Sequence, residues 1–166
     1  MTIDLLKRAG WFAVFVVVQA VVLGRIHLFH CATPLLYVYF VTQFPRNYPK
    51  WGILLWSFML GLMVDTFSNT PGLASASLTP IAAIQPYFFE LFVPRDSVED
   101  LKPALSTLGA MRYSYYIVTL VVLYCLVFYS LELFNFFNLQ EWALCVVGSA
   151  AITLLLIYTF EFAKCR

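Results

Sequence analysis

Charge is what this chain has least of. Only 11% of its 166 residues are Asp, Glu, Lys or Arg, while 62% are hydrophobic, and the mean hydropathy is +0.84. So few polar groups cannot cover the surface of a soluble domain, and that class is excluded. Histidine is also scarce. His27 and His30 are the two present, with no acid or third histidine beside them to complete a metal tetrahedron. The four cysteines, Cys31, Cys125, Cys145 and Cys165, contain no C-x-x-C pair, so the usual zinc and redox spacings are missing. Cys31 and Cys145 both fall near one membrane face in the reading below, where they could pair. The sequence has no nucleophile beside a candidate base, no phosphate loop, and no basic patch interleaved with aromatics for nucleic acid. Catalysis, cofactors and nucleic-acid binding are therefore not expected.

What is present is a series of apolar runs. A spanning helix needs about 20 apolar residues, and lipid leaves helix as the one satisfied backbone for a non-barrel chain. The expectation is an all-α integral membrane protein: one membrane domain over 1–166, a bundle of six transmembrane helices at about 9–24, 33–44, 51–65, 73–93, 112–133 and 142–162. The second and third spans are short, roughly 18 to 21 Å at ~1.5 Å per residue. Either they extend into the interface or the bilayer thins around them; a re-entrant pair would leave Arg46 and Lys50 in hydrocarbon. With the N-terminus in the cytoplasm, six spans put nine of the ten cations inside and only Arg25 outside. Both termini are then cytoplasmic under the positive-inside rule.

Polar residues within the spans read mostly as packing. Gln19 is expected to make an interhelical hydrogen bond. Ser75 and Thr79 belong to a small face on the fourth span that permits close backbone approach, and Gly148, Ser149 and Thr153 form a similar face on the sixth, expected to meet it. Gln85 precedes Pro86 and can bond a freed carbonyl of its own or a neighbouring helix. Glu90 lies in the last turn, where it snorkels or pairs with Arg95 or Arg112. Tyr113, Tyr115 and Tyr116 read as an interfacial aromatic belt. In the largest polar connection, Ser97 and Asp100 suggest a short capped surface helix.

The exception is Asp65. A carboxylate at a bilayer centre costs roughly 2.5 to 3.5 kcal/mol on insertion scales, so it belongs in a turn, at an interface or in a protected cavity. Thr66, Ser68, Asn69 and Thr70 follow it, then Pro71-Gly72, which pairs a fixed φ with a permissive residue. The carboxylate is expected to accept backbone N–H groups from the Thr66–Asn69 segment and fix the turn. A hydrolase pairing Asp65 with Glu90 is ruled out, because the two fall near opposite membrane faces.

Gly61-Leu62, Asp65 and Pro71-Gly72-Leu73-Ala74 together resemble the G-L-x-x-D...(P/L)-G-L-x-A core of the rod-shape-determining MreD family of bacterial inner-membrane proteins. Two features depart from that pattern: Pro71 stands where the family often has leucine, and the residues after Ala74 are rich in serine and threonine. The resemblance implies a non-catalytic scaffold of the cell-elongation complex. Its implied partners are the bitopic protein MreC, the MreB filament, and the glycosyltransferase and transpeptidase that lengthen the wall, with membrane lipid around it. It also implies a fold similar to the S-components of energy-coupling-factor transporters. The alternative function follows from that likeness: a vitamin-binding transporter subunit, with Ala9-x-x-x-Ala13 as its contact with a transport partner.

Overall fold

The computed structural model describes residues 2–22, 33–70, 72–93, 101, 103–132 and 139–165. Helix α1, Thr2–Val17, continues as a π-helical turn over Val18–Val22. Then come α2, Val38–Thr42, α3, Lys50–Ser68, and α4, Leu73–Phe92. A four-residue α5, Leu105–Leu108, leads into α6, Ala110–Glu132, and α7, Leu139–Cys165, ends the described chain. The described residues are helix, turn and short irregular stretches with no strand among them, and Lys50–Ser68, Ala110–Glu132 and Gln140–Ala163 are each long and apolar enough to cross a membrane.

Five of these helices form a ring. α3 packs along α4, α4 along α6 and α6 along α7, while α1 lies against α3. Aromatic side chains close the ring, with the Trp11 and Phe160 rings edge to face at 5.7 Å. The expected second span is not part of this wall. Of 33–44 only Val38–Thr42 is α-helical, about 7.5 Å at 1.5 Å per residue, and every residue from Pro34 to Thr42 is buried. The segment fills the middle of the ring, so its length answers to the space inside the bundle and not to bilayer thickness.

Irregular backbone is tolerated at membrane depth only where protein groups satisfy it, and this is what the polar residues of the surrounding helices do. Gln19 Nε2 donates to the Pro34 carbonyl at 2.9 Å. The Thr33 N–H donates to Ser149 Oγ and the Leu35 N–H to Thr153 Oγ1, both at 3.1 Å. At the other end of α2, Tyr116 OH donates to the Thr42 carbonyl at 3.2 Å and accepts from Gln85 Nε2 at 2.9 Å. The small face of the sixth span thus meets residues 33–35 and not the fourth span, because two hydroxyls on it are the acceptors that the broken backbone needs. Thr153→Val, which keeps the shape and removes the acceptor, is expected to cost about 1 to 3 kcal/mol. An unchanged denaturation midpoint in detergent would contradict that assignment.

One further expectation changes. Tyr113 and Tyr116 are fully buried, and of that trio only Tyr115 faces outward; for Tyr116 the hydroxyl's bonds to Gln85 and the Thr42 carbonyl outweigh the interfacial preference of the ring. Ser97 and Asp100 lie outside the described residues, as do His27, His30, Cys31, Arg25 and Pro71. Among the described residues of that connection, Leu105–Leu108 is helical.

The two ends of the ring differ. Arg8, the turn 43–50 and the start of α6 share one end: the Arg8 guanidinium lies 4.2 Å from the Tyr48 ring centre, and the Arg46 N–H donates to the Leu101 carbonyl at 3.3 Å. The turn between α3 and α4, with Asp65, is at the other end.

Candidate functional site

Helix α3 ends because Asn69 turns left-handed, with φ 56°, a conformation asparagine tolerates better than most residues. The N–H groups of Asn69 and Thr70 both return to the Asp65 carbonyl, closing the last turn. Gly72, with φ 80°, then starts α4. Glycine adopts this conformation without the Cβ penalty, but it brings no side chain to cap the new helix.

Asp65 supplies that cap from the preceding helix. Its Oδ1 accepts the Ala74 N–H at 2.8 Å and its Oδ2 accepts the Ser75 N–H at 2.9 Å; Thr70 Oγ1 adds a contact to Oδ1 at 3.1 Å. Ala74 and Ser75 are the second and third residues of α4, whose N–H groups have no partner within the helix. The negative charge also faces the positive pole of α4. Sequence reasoning placed the donors at Thr66–Asn69; those residues are occupied in finishing α3, so the carboxylate reaches across the turn. Asp65 is 5% exposed. Its protection is not a cavity but the three donors around it.

Such reach requires the helices to be very close, and Gly61, one turn before Asp65 on the same face, is why they can be. A Cβ built on Gly61 would stand 2.4 Å from Ser75 Cα and 2.6 Å from Ser75 N. The structure thus brings Gly61, Asp65, Gly72 and Ser75 together as one unit. Ser75 is buried, and its Oγ donates to the Gly72 carbonyl at 3.1 Å.

The other expected site residues lie apart. Thr79 is half-buried and bonds back to the Ser75 carbonyl at 2.7 Å. Gln85 is buried one helix half further on, in the α2 network, and of its two expected uses it takes the bond to a neighbouring helix, at Tyr116 OH. Glu90 is exposed near the opposite end of α4. Ser149 is buried and Gly148 half-buried on α7, across from Thr33.

The chain matches no protein-family model, no curated protein and no solved structure.

Sequence reasoning passed over two features. Glu161, 3% exposed in the last turns of α7, accepts a hydrogen bond from Tyr39 OH, which holds α2 to α7. A lone acid between Phe160 and Phe162 was the available signal. Tyr37 and Tyr124 are hydrogen-bonded to each other, and Ser77 Oγ donates to Tyr124 OH at 3.3 Å, tying the centre of the ring to α4 and α6. No spacing rule relates residues 37, 77 and 124. Among the described residues no group of three His, Cys, Asp or Glu could hold a metal ion.

Proposed function

We propose that this membrane protein is a non-catalytic scaffold of the bacterial cell-elongation complex, as its MreD-like turn implies. The observation that carries the reading is the hairpin of α3 and α4: the residues of the resemblance, Gly61, Asp65 and Gly72, are the ones that let two helices touch, cap the second and reverse the chain. Both carboxylate oxygens of Asp65 are held by N–H donors, an arrangement suited to fixing a surface rather than to transferring protons. Of the polar side chains that could line a transport cavity, Gln19, Asp65, Asn69, Gln85 and the tyrosines, Gln19 and Gln85 donate to the central segment or to Tyr116, Asp65 caps α4 and Tyr37 bonds Tyr124, while Gln19 Oε1 and Gln85 Oε1 are buried without a hydrogen-bond partner. The engaged donors favour the scaffold, and the two unpartnered amide oxygens keep the vitamin-binding subunit, with its S-component-like fold, as the second reading.

In this proposal the chain crosses the bacterial inner membrane six times with both termini cytoplasmic. The Asp65 turn faces outward, where MreC approaches, and the basic end faces the MreB filament. MreC in turn links the scaffold to the wall-elongating glycosyltransferase and transpeptidase. Depletion is expected to round rod-shaped cells, and Asp65→Ala or Gly72→Val to do the same while immunoblots still find the protein in the membrane. Normal rods in cells carrying either variant at normal level would overturn the role given to the turn.

A further inference from the structure

We propose that the basic end of the ring carries a seat for a phospholipid with an anionic headgroup, formed by Arg46 and Lys50 together with the exposed surface of Trp51, Tyr87 and Leu91. The inference rests on the membrane location of the protein and is independent of any role in cell elongation.

Two cations beside the turn 43–50 are held in place by aromatic faces. Lys50 Nζ lies 4.3 Å from the centre of the Tyr87 ring, joining the first turn of α3 to α4. On the other side of the turn, Arg8 lies over Tyr48, whose hydroxyl accepts from Trp56 Nε1 at 3.2 Å. A ring face fixes the position of a cation without neutralising its charge. Arg46, between them in sequence, is exposed. Fixed positive charge at a helix boundary complements a phosphate and draws anionic lipid to it.

The surface next to this charge selects the kind of anion. Trp51 is 72% exposed and Leu91 76%, with Tyr87 and Leu55 also open, on the outer sides of α3 and α4. Leu55 lies one turn further along α3 from Trp51, away from the turn. A soluble phosphate would engage only the cations, whereas a phospholipid joins a phosphate to acyl chains and so matches both parts at once. Tryptophan and tyrosine at this level suit the interface itself. Glu90, exposed one turn beyond Tyr87, disfavours an anion on that side and places the phosphate towards Arg46.

The test is native mass spectrometry of the full chain in detergent with equal amounts of dioleoyl-phosphatidylglycerol and dioleoyl-phosphatidylcholine. Each basic side chain near an anionic lipid contributes about fivefold, so two contribute a preference of about 25-fold for the phosphatidylglycerol adduct. Arg46→Ala with Lys50→Ala is expected to remove that preference, and Arg46→Lys with Lys50→Arg to keep it. Equal retention of the two lipids by the natural chain, or an unchanged preference in the alanine pair, would overturn the proposal. Displacement of the lipid by an equal concentration of glycerol phosphate would also overturn it, since the seat would then be one for a soluble anion.

Discussion

Asp65→Ala is expected to lower the free energy of unfolding by about 3 kcal/mol or more, because it strands two buried N–H donors at about 1 to 3 kcal/mol each and removes a helix cap. The donors are those of Ala74 and Ser75, at 2.8 and 2.9 Å from the two carboxylate oxygens. They sit where α4 touches α3, so water cannot reach them without separating the helices. Asp65→Asn keeps one acceptor oxygen and loses the charge that faces the α4 pole, so its cost should fall between those of the natural residue and alanine. Titration of the folded protein with a denaturing detergent, followed by circular dichroism, measures the series. An alanine variant as stable as the natural chain would show that the hydrogen bonds are incidental to the turn.

The second large effect is expected at Gly61. Overpacking a tight contact costs typically 1 to 3 kcal/mol, occasionally more. Here the obstructing atoms are the backbone of Ser75, at 2.4 and 2.6 Å from the added Cβ, and not a side chain that could rotate away. Gly61→Ala therefore forces α3 and α4 apart, and Gly61→Val does so further. Separation at Gly61 also withdraws Ala74 and Ser75 from Asp65, one turn away. The double variant Gly61→Val with Asp65→Ala should for that reason cost clearly less than the sum of the single variants, the mark of one coupled unit. Strict additivity would mean that the glycine and the aspartate act separately.

Much of this was legible in the sequence, for reasons that are local. Apolar runs fixed the class, the intolerance of lipid for charge marked Asp65, and Gly72 announced a reversal that its φ of 80° requires. Three of the cations expected on one side, Arg8, Arg46 and Lys50, lie about the turn 43–50. What was not legible depends on contacts between distant residues. Nothing near Asp65 in sequence shows that its donors are nine and ten residues onward, because the local hydroxyl and amide groups look equally suitable. Residues 33–44 read as a short span because a buried central segment and a lipid-facing helix are both apolar. Tyr116 reads as interfacial for a similar reason: the hydroxyl that suits a headgroup also suits the carbonyl of Thr42 inside the ring.

The most direct measurement is amide hydrogen exchange at Ala74 and Ser75, resolved residue by residue in the natural chain and in Asp65→Ala. If the carboxylate at position 65 closes the start of α4, these two amides exchange slowly in the natural chain and at least about tenfold faster in the variant, the factor that 1.4 kcal/mol represents. Amides in the middle of α6 keep their protection. Equal exchange at Ala74 and Ser75 in the two proteins would contradict the account, since the acid would then have no hold on the helix it is said to cap.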